Sequence, residues 1–292
     1  MLADVLQLLI AGLATGAIYA LVAVGFMLLW QTSQTINFAQ GEFVMLPAFF
    51  VLAAKQAGLP FWAALIVGVL LSAAILGLAF KRLLVDPMLR HGVLPLAIAT
   101  MALSTFLKES VKTFYSAEAS PFPSIAPSAD LQILGVTVSC QNVVVLAVAI
   151  AAVVALQILL ERTRTGRQMQ AAAQNPTVAR ILGVPVERMI LYAFLINGAL
   201  AALASILISP IYLAKFSNGD TLGLAAFIAA IVGGFNQIRG AIAGGLLLGV
   251  VDNLSAAYIS TEYRGAIPLV LLIVVILFRP NGLLGRAEER TV

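Results

Sequence analysis

Three apolar runs constrain this chain more than any other feature: GLATGAIYALVAVGFMLLW at 12–30, FWAALIVGVLLSAAILGLAF at 61–80 and VVVLAVAIAAVVALQILL at 143–160. Each reaches roughly the 17 to 25 residues a helix needs to cross a bilayer, without the polar stripe of a helix lying on a soluble core. Further runs lie at 41–55, 94–107, 189–208, 222–234, 241–254 and 266–278. The whole chain agrees: 61% of 292 residues are hydrophobic, 10% are charged and the mean hydropathy is +1.03. Soluble domains carry about 45–50% apolar and about 25% charged residues. The expectation is an all-α, polytopic membrane protein with 8–9 transmembrane helices, embedded in a lipid bilayer. The short, Gly-flanked runs leave room for broken or re-entrant helices.

Orientation follows from the basic residues, because Lys and Arg are retained on the cytoplasmic side. Eleven of the seventeen lie in three segments, KRLLVDPMLRHG (81–92), residues 161–188 and RPNGLLGRAEERTV (279–292), which are expected inside. The Pro- and Ser-rich stretch 113–140 has no Lys or Arg and is expected outside, with LQILG and VTVS forming a short hairpin about Gly135. The net charge of +4 and pI near 9.4 express this topology and do not indicate nucleic-acid binding. The start, MLADVLQ, lacks the basic region of a cleavable signal, so the first helix is expected to remain in the mature protein. The single cysteine, Cys140, rules out an intrachain disulfide.

No catalytic signature is present: there is no H-E-x-x-H, no G-x-S-x-G and no G-x-x-x-x-G-K-[ST], and the one histidine, His91, sits in a basic loop. No cofactor, metal or catalytic residue is expected, and any nucleotide hydrolysis must come from a partner. The segment 161–188 looks built for one. TRTGRQMQAAAQ is expected to extend the preceding helix into the cytoplasm. NPTVARILG then reads as a complete short helix, with Asn175 as N-cap, Pro176 at the first position and Gly183 as the stop. Val178, Ile181 and Leu182 form a small apolar face flanked by Arg180. Such a helix can lie on a membrane surface or dock on a partner, and the surrounding arginines favour docking.

Four passages together resemble the Liv-type permease subunits of bacterial ABC importers, the branched-chain amino acid type. They are GLATGAIYALVAVGF with INFAQGEFVML, RTRTGRQMQAAAQNPTVARILGVPVERM, LAAFIAAIVGGFNQIRGAIAGGLLLGVVDNL and LFRPNGLLGR, in order and nearly end to end. The resemblance implies one transmembrane permease domain over 1–292 in the bacterial inner membrane. It implies as partners a second, homologous permease, two cytoplasmic ATP-binding subunits and a periplasmic substrate-binding protein. It also implies that residues 176–183 are the coupling helix seated in a groove of an ATPase. The implied cargo is leucine, isoleucine, valine or related hydrophobic amino acids, with urea, short amides and aromatic carboxylates as alternatives.

TSQTINFAQGEFVML, residues 32–46, interrupts two apolar runs with amides, hydroxyls and a carboxylate but no Lys or Arg. Polar groups at membrane depth are costly unless they are buried in protein or line a wet cavity, and discontinuous helices at such places commonly build transport pathways. Asn37, Gln40 and Glu42 fit a pathway, with Phe38 and Phe43 as gate or packing groups. The same residues also suit a tight turn capping two helix ends, and both readings can hold. Glycines at four-residue spacing, Gly12/Gly16, Gly219/Gly223, Gly240/Gly244 and Gly245/Gly249, suit close helix approach. The piece 222–234 is expected to re-enter at Gly233–Gly234, with Asn236, Gln237 and Arg239 as its exposed turn. A passive channel would need a self-contained filter, which is not evident. A secondary carrier would place several ionisable groups in its spans, for which Asp252 with Glu42 is thin support.

Overall fold

The computed structural model describes residues 2–127, 130–133, 136–235, 237–261, 263 and 265–285. All nine apolar runs lie on helices. Six of these are long and apolar enough to cross a membrane, while the helices over 41–55, 222–234 and 266–278 are shorter, so the span count established by length is six among the described residues. The chain is a multi-pass helical membrane protein. It falls into two compact units, 28–124 with 150–223, and 1–27 with 125–149 and 224–292.

The chain begins with α1 (Leu2–Ser33), which continues into the first-named unit and is followed there by α2 (Gln40–Gln56). Next comes a near-continuous helix over Phe61–Leu89, made of α3 (Phe61–Ser72), π-helical turns at Ala73–Ala79 and Lys81–Val85, and α4 (Asp86–Leu89). Residues 81–89 are therefore helix, and the expected loop shrinks to a turn at Gly92, whose φ is +108°. The wider π turn, closed by i to i+5 bonds, suits residues five apart, and Lys81 Nζ reaches the Asp86 carboxylate at 2.8 Å. α5 (Val93–Phe114) follows.

Within this unit α2, the π-helical stretch and α9 (Val186–Tyr212) form the packed centre. Gly77 makes that contact possible, since a Cβ there would stand 2.9 Å from Leu195 Cα. Phe43, Phe80 and Phe194 fill the space, with ring centroids at 4.9 Å for Phe43–Phe80 and 5.8 Å for Phe80–Phe194. Pro47 lies inside α2, where it cannot donate the usual helical bond, and the next N–H, that of Ala48, is satisfied by Ser205 Oγ on α9 at 3.0 Å.

In the other unit, β1 (Asp130–Ile133) pairs antiparallel with β2 (Val136–Ser139), opposing Ile133 to Val136. The expected hairpin is present, although its turn at Gly135 lies outside the described residues. α6 (Cys140–Arg162) rises from it and continues into the first-named unit. α10 (Asn218–Gly233) begins in the first-named unit, continues into this one from residue 224 and ends before Gly234, whose φ is +125°. α11 (Ile238–Tyr258) and α12 (Ala266–Phe278) complete the chain's helices. Asn236 lies outside the described residues, Gln237 is half-buried and Arg239 is exposed. The segment after α12 folds onto the end of α10: the N–H groups of Leu283 and Leu284 donate to the carbonyls of Val232 and Gly233, both at 2.9 Å, supplying partners that a helix end lacks. The spaced glycines pack backbone against backbone, Gly12 and Gly16 of α1 facing 245–250 of α11.

One expectation is corrected. Residues 163–174 do not extend α6. They form a separate helix, α7 (Arg164–Gln174), because the Thr163 hydroxyl accepts the Gly166 N–H at 2.9 Å and starts a new helix. Gly166 lets the new helix fold back against Leu159–Leu160, where a Cβ would overlap backbone.

Candidate functional site

The break between α1 and α2 is built by its own polar side chains. Thr32 Oγ1 donates to Leu28 O and Ser33 Oγ to Leu29 O, both at 2.7 Å, and the Gln34 N–H reaches Trp30 O at 2.9 Å with φ +53°. The two hydroxyls bond back to carbonyls of the preceding turn, and the Gln34 N–H gives Trp30 O a partner that the helix end would otherwise lack. Asn37 Oδ1 then accepts the Ala39 N–H at 3.0 Å, a local turn that launches α2. α2 itself starts from Ala39 without a side-chain cap, so Asn37 shapes the turn ahead of the helix.

Its other polar groups turn toward the packed centre. Gln40 and Asn197 exchange reciprocal amide hydrogen bonds, Gln40 Nε2 to Asn197 Oδ1 at 2.8 Å and Asn197 Nδ2 to Gln40 Oε1 at 3.0 Å. Asn37 adds a longer bond to Gln40 Oε1 at 3.4 Å. Asn37, Gln40, Glu42 and Phe43 are all buried within the chain, whereas Phe38 is 42% exposed and its N–H donates to Thr100 Oγ1 at 3.3 Å. The five residues singled out from sequence therefore divide: Gln40, itself bonded by Asn37, fastens α2 to α9, Phe43 joins the aromatic cluster, Phe38 meets α5 through its N–H, and Glu42 lies beside Ser104 of α5.

Glu42 leads to residues that the sequence reading passed over. Ser104 on α5 offers its hydroxyl to the Glu42 carboxylate, and Lys108 and Asp220 are the charged groups that act on it. Lys108 Nζ hydrogen-bonds Asp220 Oδ2. Their side chains are 28% and 52% exposed, against 2% for the whole of Glu42. The approach is allowed by glycines: a Cβ on Gly223 would lie 2.7 Å from Gly41 Cα, and one on Gly219 3.1 Å from Glu42 Oε1. Thr100, Ser104, Lys108 and Lys112 recur every four residues and so share one face of α5. Lys112 ends the stripe over the Phe216 ring, 5.8 Å from its centroid. That i, i+4 recurrence is visible in the sequence, but ending the apolar run at 107 cut it in half.

The second candidate is the short helix α8 (Pro176–Ile181). Asn175 Oδ1 accepts the N–H groups of Thr177 and Val178 at 3.1 and 3.0 Å, Pro176 opens the helix, and Gly183 closes it at φ +81° with the Val184 N–H on Ala179 O at 2.9 Å. Ala179 is buried and anchors it. Val178, Ile181 and Leu182 are 47%, 79% and 75% exposed, an apolar face left open among the described residues. Arg180 Nη2 meets Glu187 Oε1 of α9 at 3.2 Å, and Lys81 Nζ lies 3.8 Å from the other Glu187 oxygen. In the other unit the Asp252 carboxylate is buried and accepts the Tyr19 hydroxyl at 3.1 Å, a tie between α11 and α1.

The profile of a family described as "Branched-chain amino acid transport system / permease component" matches residues 8–276. The chain is 32% identical to the high-affinity branched-chain amino acid transport system permease protein LivH of Escherichia coli K12, over 98% of this chain and 97% of that protein. It is 31% identical to BraD, the corresponding permease protein of Pseudomonas aeruginosa, over 98% of each. Among solved structures it resembles PsaBC from Streptococcus pneumoniae in complex with Fab, with a TM-score of 0.53 at 14% identity, covering 96% of this chain and 97% of that one, a likeness of fold.

Proposed function

Since the chain belongs to the family of permease components of branched-chain amino acid transport systems, we propose that it is the membrane subunit of a bacterial ABC importer for branched-chain and related hydrophobic amino acids. It works in the inner membrane with a second, related permease, two cytoplasmic ATP-binding subunits and a periplasmic binding protein. The observation that carries this reading is α8. A helix with a side-chain cap, a Pro start and a Gly stop is a rigid body, and it presents Ile181 and Leu182 at 79% and 75% exposure beside Arg180. An ATPase groove is the cover proposed for that face, with Asn175–Gly183 as the coupling element.

The Arg-rich segment 161–188 then lies in the cytoplasm and 113–140 outside. α2, α10 and α12, with 17, 16 and 13 residues, are about 20 to 26 Å long at 1.5 Å per residue, short of the roughly 30 Å hydrocarbon core. They raise the six long spans to nine crossings if each completes its passage with flanking residues, and to eight if one of them is re-entrant. Within this frame Asn37–Phe43 forms part of the translocation pathway: Phe38 and Glu42 face it, while Asn37, Gln40 and Phe43 hold the wall in shape. The test is reconstitution. The permease pair should co-purify with the ATPases and import leucine into proteoliposomes in the presence of ATP and binding protein, and transport by this chain alone would overturn the assignment.

A further inference from the structure

Resting on the reading that the cargo is an amino acid, we propose that Lys108, Asp220 and Glu42 form a transit site for the zwitterionic head of the substrate, with Phe38 receiving its apolar side chain. The three groups come from three helices, α5, α10 and α2. Ionisable residues inside spanning segments are expensive and mark functional paths by default. These are also unequal. The Lys108–Asp220 pair is partly open, at 28% and 52% side-chain exposure, while Glu42 behind it is 2% exposed.

A free amino acid poses a particular problem at membrane depth, because both of its charges lose water together. An ion pair solves it by exchange. The substrate carboxylate takes the place of Asp220 on the Lys108 ammonium, and the substrate ammonium takes the place of Lys108 on the Asp220 carboxylate. Neither charge is left uncompensated in a medium where an unpaired charge is prohibitive. Glu42 adds direction. Its carboxyl oxygens, buried behind the pair, offer acceptors to the substrate ammonium on the inner side. Phe38, exposed and bonded through its N–H to Thr100, lies at the start of the same stripe. Eight residues of α5 separate Thr100 from Lys108, about 12 Å along the axis, so Phe38 stands at one end of the stripe and the charged pair toward the other.

The test uses the assembled importer in a Cys140→Ser background carrying Phe38→Cys, alkylated by a membrane-permeant maleimide. L-leucine should slow the labelling by 1 + [L]/Kd, about tenfold at roughly nine times the dissociation constant. Isoamylamine, which lacks the carboxylate, and 4-methylpentanoate, which lacks the ammonium, should not protect, and Asp220→Asn should abolish the leucine effect. A second readout needs no cysteine. Lys108→Met and Asp220→Asn should lose leucine transported per ATP hydrolysed by the assembled complex, with partial recovery in Lys108→Arg. Equal protection by all three compounds, or parental transport in both charge-removal variants, overturns the site. Absent leucine protection in an importer that transports leucine overturns the site and leaves the assignment of function standing, whereas failure of the parent to transport leucine overturns both.

Discussion

The reciprocal Gln40–Asn197 pair is the clearest case of a side chain whose value depends on its partner. Each amide uses a donor and an acceptor on the other, and both residues are buried. Asn197→Leu therefore strands the Gln40 amide, costing about 1–3 kcal/mol as an unsatisfied buried group, whereas replacing both partners by apolar groups restores much of it. Thermal unfolding in detergent should show Asn197→Leu well below wild type and Gln40→Leu/Asn197→Leu closer to it. A double variant that loses the sum of the two single losses would remove the coupling. Glu42 differs, because its neighbours are charged. Glu42→Gln keeps the volume and removes the charge, so assembly should persist while transport falls. Loss of expression without a transport defect per assembled complex would make Glu42 a structural residue.

Among the elements, α2 and α8 illustrate opposite ways of being held. α2 contains Pro47, and the tie from Ala48 N–H to Ser205 Oγ fastens it to α9. Ser205→Ala is expected to lower stability by about 1 kcal/mol, the usual worth of a hydrogen bond, with a matching fall in unfolding temperature. α8 is held by its caps and by Ala179. Asn175→Ala removes an acceptor serving two N–H groups and should cost about 1 kcal/mol. Ile181→Asp or Leu182→Asp acts at exposed positions and should leave stability within about 0.5 kcal/mol. If the face docks, the same change removes burial worth roughly 1.5 to 3 kcal/mol, so ATPase co-purification should weaken at least about tenfold and transport should fall with it. Gln170→Asp on α7 is the milder control. Asp variants that still couple hydrolysis to transport at the parental level would reduce α8 to a surface helix.

For the whole molecule the decisive measurement is sidedness. Thr137 on β2 and Thr177 on α8 are both exposed, so cysteines there in a Cys140-free chain are reachable from whichever compartment they face. With 113–140 outside and 161–188 inside, an impermeant maleimide should label position 137 in intact cells and position 177 only after the membrane is opened. The reverse pattern would invert the topology. The basic residues carry this prediction, because it is their retention, and not the helix lengths, that sets the sides.

Local chemistry made a large part of this protein legible in its sequence. Apolar runs mark every long helix, and those at 12–30, 61–80, 143–160 and 189–208 reach spanning length by themselves because bilayer thickness fixes the number of residues required. Asn175, Pro176 and Gly183 announce α8 because capping involves neighbours a few residues apart. The alternation around 130–139 gives the hairpin for the same reason. Where the outcome depended on distant residues, one-dimensional signals fell short. Thr163 could continue α6 as readily as cap α7, and packing of Gly166 on Leu160 chose the cap. Asn37 and Gln40 suit a pathway and a capping turn alike in the sequence, and the partner that Gln40 takes, Asn197, lies 157 residues further on. The charged cluster was least visible, since Glu42, Lys108 and Asp220 sit in separate runs and meet only because Gly41, Gly219 and Gly223 let the helix backbones close up. Composition and spacing settle what a segment is, because those forces act within a few turns of chain; which charges and amides face one another is decided by packing, whose contacts bring together residues a hundred or more positions apart.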